Sequence, residues 1–365
     1  MKAMKIITVI CWLVVAAVLL GFAGWFLTGT VFGTRTDRWY NNISFGVGVN
    51  HLETLTGPYE MVGTHRFEVS DISSINVDWI AGNITVKPHD GSQITVTEFA
   101  QRELRENEKF QTSVSAGTLT VRFRERGNTG PMPQKKLEIL IPLELSGNLS
   151  RLSVDSVSGS ISVENIEAAY LSVDSISGAV DFSNSTARSL KVNTTSGAIT
   201  VKTVQSDNME FDSISGAIRV SDSFARVIDC DSTSGRIDVY GGYGKAKLNS
   251  LSGKITLDNS EQSSVVDADS TSGTLELSGS FETVNANTLS GSISIKSTMI
   301  PSSLKVDSTS GSVTIAVPNE GSITVYHSST SGRFSSDIPV SMQNRRGAQF
   351  EISTLSGRTT ITALP

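Results

Sequence analysis

Between residues 159 and 357 a Ser-Gly pair returns eleven times inside nearly the same phrase: two alternating apolar residues, Asp or Asn, two small residues, Ser-Gly, then two more alternating apolar residues. It reads LSVDSVSGSISV at 152–163, LSVDSISGAVDF at 171–182 and LKVDSTSGSVTI at 304–315. The glycines are Gly159, Gly178, Gly197, Gly216, Gly235, Gly253, Gly273, Gly291, Gly311, Gly332 and Gly357, and the first four steps are 19 residues each. A unit of about 20 residues cannot bury its own apolar face, so a fixed period of that size predicts a solenoid whose coils gain a core by stacking.

Counting from each glycine, positions −7 and −5 carry pairs such as Leu152/Val154, Leu171/Val173 and Leu304/Val306, and positions +2 and +4 carry Ile161/Val163, Ile237/Val239 and Val313/Ile315. Polar residues such as Asp181, Arg219, Asp238, Lys254 and Glu276 lie between or beside them. The period is two and the apolar residues are mostly β-branched, which predicts two short strands per repeat with one face inward. Ser-Gly is then the corner, glycine supplying unusual backbone angles and the small serine fitting the inside of the bend. The predicted class is all-β, a parallel β-solenoid of about 19-residue repeats. The only charged stretch with helical character is 100–109.

A second-order pattern runs through the repeats. Position −2 alternates Ile176, Thr195, Ile214, Thr233, Leu251, Thr271, Leu289, Thr309, and position −4 carries Asp155, Asp174, Asn193, Asp212, Asp231, Asn249, Asp269, Asn287 and Asp307. Either one repeat makes one coil, or two repeats make a larger one. The one-repeat coil is favoured because it interposes Asn between Asp side chains on neighbouring strands; Gly159 would then stack on Gly178 rather than on Gly197.

Residues 6–27 hold no charge, long enough for a bilayer-spanning helix, and Lys2 and Lys5 before it place the N-terminus (1–5) in the cytoplasm and the repeats outside. A cleaved signal has a shorter apolar region, so a retained anchor is expected. Residues 28–58 read as a stalk, 59–150 as degenerate N-terminal coils and a cap, 151–340 as the regular repeats, and 341–365 as a C-terminal cap with the last repeat. In the degenerate region, Ala81-Gly82 and Ala116-Gly117 both resemble corners. Cys11 falls in the predicted span and Cys230 at core position −5, so no disulfide is expected.

Conventional chemistry is hard to find. His51, His65, His89 and His327 have no metal-ligand spacing, and Gly241-Gly242-Tyr243-Gly244 opens no helix and reads as a tight loop. The carboxylates of the −4 row (Asp155, Asp174, Asp212, Asp231, Asp269, Asp307) are a weak calcium candidate; Asx side chains bonding nearby backbone at a bend explain the same residues. At −2, Val157, Ile176, Ile214, Leu251 and Leu289 either turn inward at the bend and fill the core, the favoured reading, or point outward as an interaction stripe. A net charge of −6 without a basic face argues against nucleic acid. No cofactor is expected.

The repeated VDSxSGxIxV motif, at 154–163, 173–182 and 211–220 behind an N-terminal apolar span, resembles the bacterial “putative adhesin” family of unknown function. The resemblance covers roughly residues 60–362 and implies an exported β-helical domain, in some members linked to envelope-stress operons. The expected function is therefore a non-enzymatic, membrane-anchored surface at the cell envelope for adhesion, scaffolding or envelope sensing, with a protein or cell-wall glycan as partner. The alternatives are a carbohydrate-binding or polysaccharide-cleaving β-helix and a self-associating scaffold.

Overall fold

The computed structural model describes residues 57–124, 132–342 and 347–364. The expected span 6–27, and all but the last two residues of the expected stalk, lie outside them. Among the described residues no helix is long and apolar enough to cross a membrane. His51–Pro365 forms one compact unit.

That unit is a stack of rungs, one repeat to a rung. Leu171 pairs in parallel with Leu152 on one side and Leu190 on the other, and Val173 likewise with Val154 and Val192. The period-two pattern does what it implies: Leu152, Val154, Ile161 and Val163 are buried, as are their counterparts Ile228, Cys230, Ile237 and Val239. Cys230 is a free thiol in this core.

The two strands of a repeat do not stand apart. In the middle of the stack the second strand of one repeat runs on into the first strand of the next, as in Val180–Thr194 and Ile218–Ser232. The chain turns within these long strands at position +6, where Asn165, Asn184, Thr203 and Asp222 take φ between 49° and 56°. The ladder skips again at residues 169, 188, 207 and 226, marking a further bend. Gly241-Gly242-Tyr243-Gly244 is therefore not a separate loop. It lies inside the strand Ile237–Ser250 at the +6 bend, with the Tyr243 ring buried.

Both ends depart from chain order. At the N-terminal end the first rung in sequence, Ser74–Ala81 with Ile84–His89, is second in space. It lies between the rung of Leu149–Ser158 and Ile161–Glu164 and the outermost rung of Thr118–Arg122 and Lys135–Pro142. Antiparallel strands close that outer rung: Gln111–Ser115 on Thr118–Arg122, Gln93–Ala100 on Lys135–Pro142, and Glu60–Glu68 on Gln93–Ala100. Ala116-Gly117 is thus a hairpin turn, not a corner; both residues have positive φ (47° and 74°), which suits a tight antiparallel turn. The charged stretch 100–109 forms only a 3-10 turn, Glu106–Glu108, with Arg102 clasping Glu108 at 2.9 and 3.0 Å.

Beneath this closure lies an ion pair with no solvent exposure, Lys135 Nζ to Glu98 Oε1 at 2.5 Å. Lys135 also donates to the carbonyls of Glu108 and Phe123 and sits over the Phe123 ring, while Glu98 accepts the Phe110 N–H. Burial holds Lys135 down to about 8 and pushes Glu98 up.

At the C-terminal end, Ser303–Ser308 and Val313–Val317 pair with Ala348–Thr354 and Thr359–Ala363, and these pair in turn with Ile323–Ser329 and Phe334–Ser336. The last segment of the chain is an internal rung, slotted between two that precede it in sequence. The end rung is 323–336; of the cap expected at 341–365, Ser341 bridges to its outer side while Ala348–Ala363 lies inside the stack.

Candidate functional site

Three columns of side chains meet at the Ser-Gly corner. The glycines follow the order Gly82, Gly159, Gly178, Gly197, Gly216, Gly235, Gly253, Gly273, Gly291, Gly311, Gly357, Gly332, each against the carbonyl of its neighbour. A Cβ on Gly197, Gly216 or Gly235 would meet the carbonyl oxygen of the preceding corner at 1.8–1.9 Å. Along this column only Gly82 and Gly159, the two at its N-terminal end, have a positive φ in the glycine-favoured range, 99° and 127°. Unusual backbone angles are therefore not what selects glycine along the stack. Rungs approach so closely here that no side chain fits between them.

The serine next to glycine also differs from expectation. Position −1 is exposed, and its hydroxyl donates to the −2 carbonyl of the previous rung, as from Ser177 to Val157 at 3.1 Å and from Ser196 to Ile176 at 3.2 Å. The hydroxyl inside the bend is at −3. It accepts the glycine N–H within the same repeat: Ser175 from Gly178 at 3.1 Å, Thr194 from Gly197 at 2.9 Å, Ser250 from Gly253 at 2.8 Å. The unbroken column of Ser and Thr at −3 was a signal for this in the sequence.

Position −2 points outward, against the favoured expectation that the bend turns it into the core. Ile214, Leu251 and Leu289 are 37, 43 and 47% exposed, and Val157 and Ile176 are part-buried. The backbone at the bend already bonds rung to rung, Thr233 N–H to the Ser213 carbonyl and Ser234 N–H to that of Ile214. The core is filled by −7, −5, +2 and +4, leaving −2 on the surface. In spatial order the column reads Ile176, Thr195, Ile214, Thr233, Leu251, Thr271, Leu289, Thr309, Leu355, Thr330. The C-terminal exchange of rungs preserves the alternation: in chain order Thr330 would follow Thr309, whereas in the stack Leu355 stands between them, its N–H bonded to Ser308 and its carbonyl to Ser331. An aliphatic side chain thus recurs every second rung, about 9.6 Å apart, with Thr between.

On the same face runs the Asx row at −4. Its amides bond carboxylates across rungs rather than nearby backbone: Asn193 to Asp174, Asn249 to Asp231 and Asn287 to Asp269, each at 2.6 Å. This bonding needs the one-repeat coil. Asp212 is next to Asp231 in the row. Its carboxyl is raised to about 6, first by burial and then by the Asp231 charge. Among the described residues, no three His, Cys, Asp or Glu side chains gather as a metal site. The histidines stay dispersed. His65 bonds Thr112 at 2.7 Å, His89 bonds the Gln93 carbonyl at 2.9 Å, and His327 stacks on Phe334 in the end rung at 5.0 Å; His51 is outside the described residues.

Among solved structures, a “putative lipid binding protein” from Parabacteroides distasonis is similar at 15% identity over 83% of this chain and 96% of that one, with a TM-score of 0.37. A “putative adhesin” from the same organism has 14% identity over 84% and 98%, TM-score 0.38. Another from Parabacteroides merdae has 15% over 83% and 96%, TM-score 0.35. No curated protein matches. The family model described as Toastrack DUF4097 matches residues 72–278 and 242–362, together most of the chain. The chain therefore belongs to the Toastrack DUF4097 family.

Proposed function

We propose that this chain is a non-enzymatic interaction module of the cell envelope, held by a single span at 6–27 with its N-terminus in the cytoplasm and the stack outside, and that the −2 ladder is its contact face. The supporting observation is the ladder itself. Exposed Ile214, Leu251 and Leu289 on every second rung form a regular surface array, and part-buried Ile176 and Leu355, the latter on the exchanged rung, continue its alternation on either side. A periodic apolar row bordered by a polar row suits a partner that is itself extended. Aliphatic side chains lack the aromatic face on which sugar rings stack, so a protein is the favoured partner class over a wall glycan. The −4 carboxylates belong to a ladder bonded by Asn at three places, which is a structural use of the acids and gives no support to a cleaving enzyme.

Fluorescently labelled His51–Pro365 should bind isolated cell envelopes, and protease treatment of those envelopes should abolish the binding. Ile214→Asp/Leu289→Asp should lose it while its melting transition stays put, because both side chains are on the surface. Binding that survives the double substitution would sink this reading, and binding that survives protease would point to a glycan.

A further inference from the structure

The two ends of the stack are finished differently. At the N-terminal end antiparallel strands cover the outer rung and leave two edges: Glu60–Glu68, which carries Glu60, Arg66 and Glu68 and is broken by a bulge between Met61 and Gly63, and Gln111–Ser115, which is only five residues long. Charges and bulges are how sheet edges avoid pairing with other chains. In the C-terminal rung the strand Ile323–Ser329 has neither, and the rung's one charge, Arg333, lies past the corner. From Ile323 to Gly332 its sequence, ITVYHSSTSG, holds no Asp, Glu, Lys or Arg.

The bonding phase of Ile323–Ser329 shows which groups are available. Ala348 N–H donates to the Ser322 carbonyl on the inner side, while Val325 N–H donates to Ser341 and Ser341 N–H to Ile323 on the outer side. Odd-numbered residues of this strand therefore bond outward. Ser341 serves only the first half. The outward N–H groups of His327 and Ser329 meet no backbone acceptor among the described residues. Phe334 and Ser336 are in the same position, because Arg333 O accepts from Thr359 N–H on the inner side. The side-chain layer is unfinished too: His327 Nε2 is shielded from solvent and has no partner.

We infer that this edge, centred on His327–Ser329, is a strand-docking site for the same edge of a second copy of this chain. Unpaired backbone donors and acceptors in a row are matched by another extended strand. A second copy cannot stack head to tail, since its outermost N-terminal rung is covered by its own antiparallel strands. What it can offer is its own uncharged edge strand, Ile323–Ser329, related by a two-fold axis. Pairing is then antiparallel, with His327 of each copy opposite Ser329 of the other and the two Ser328 residues facing across the axis. The same surface is used by both copies, so the contact closes at a dimer.

Sedimentation of His51–Pro365, which has its own core, should show a monomer–dimer equilibrium. In the antiparallel arrangement the Ser328 Cα atoms stand about 4.5–5.5 Å apart, close enough for a disulfide. Ser328→Cys should therefore cross-link into a covalent dimer under mild oxidation. The native thiol is silent, since Cys230 is buried and its ionisation suppressed by burial. Ser115→Cys, on the short strand at the other end, should not cross-link. Tyr326→Lys/Ser328→Lys, at two exposed positions, should shift the equilibrium to monomer with an unchanged melting transition. A monomer at every concentration, a dimer that Ser328→Cys fails to trap, or open-ended oligomers would each overturn the inference.

Discussion

Asp212 stands beside Asp231 in the −4 row with no asparagine between them, whereas Asp231 on its other side accepts the Asn249 amide at 2.6 Å. Burial and the neighbouring charge raise the Asp212 carboxyl to about 6, from an ordinary 3.8. A carboxyl raised on folding contributes stability that is fully present below its unfolded value and is lost as pH rises through its folded value. The loss here falls between about pH 4 and 6. Asp212→Asn should therefore stabilise the protein at pH 7, by on the order of 1 kcal/mol once solvent screening of this half-buried group is allowed for. The gain should disappear at pH 4. Thermal melts of both proteins across that range test this, and a gain independent of pH would show that the like-charge contact is not the cause.

The contrast between that row and its neighbours shows what a sequence discloses. The inward positions were legible because strand geometry alone puts residues such as Leu171 and Val173 on one face, and one repeat suffices to see it. The reason for the glycines was not, because Gly178 is excluded from bearing a side chain by Gly159, a contact made 19 residues away. The +6 bend was hidden for another reason. Asn165, Asn184, Thr203, Asp222 and Gly241 all occupy it, so no single letter recurs. The −2 column could be identified by its alternation, but its direction depended on a corner that alternation does not describe. The exchanged rungs left one trace, the order in which Thr330 and Leu355 continue the ladder, and it acquires meaning only once the stack is known.

Gly216 is a direct test of rung spacing. A Cβ there would lie 1.8 Å from the Gly197 carbonyl oxygen, and both groups are backbone, so the rungs themselves would have to part. Gly216→Ala should cost about 3 kcal/mol, at the upper end for overpacking. Gly147→Ala is the control, because the nearest atom to its Cβ is a Glu167 carboxylate oxygen at 4.0 Å, and it should stay within about 0.5 kcal/mol of the parent. Urea unfolding of the two variants gives the comparison; equal midpoints would refute close approach as the reason for the corner glycines.

The Lys135–Glu98 pair in the N-terminal closure makes a different kind of prediction. Both side chains are fully buried, so the pair's stability lies in its mutual neutralisation and not in either charge alone. Lys135→Met should cost about 3–5 kcal/mol, since it strands the Glu98 carboxyl in the core. Adding Glu98→Gln should restore a large part of that, because a neutral amide can still accept the Phe110 N–H that Glu98 now accepts at 3.1 Å. Chemical denaturation of single and double variants measures the coupling. A double variant no more stable than Lys135→Met would mean that packing, not the orphaned charge, dominates.

Thr203 holds the +6 bend with φ of 56°, where its neighbours in the stack use Asn184 and Asp222 at 49° and 50°. The left-handed region is costly for a β-branched side chain and tolerated by Asn, whose short polar group bonds locally. Thr203 is exposed, so its side chain contributes little packing to set against that strain. Thr203→Asn should therefore stabilise by about 1 kcal/mol, and Asn184→Thr, one rung away, should lose a similar amount. The pair of substitutions is informative because the two residues occupy equivalent places in adjacent rungs, so surface and backbone context nearly cancel. Opposite shifts in melting temperature are expected, and shifts of the same sign would mean that the bend is set by its neighbours in the ladder rather than by the residue that occupies it.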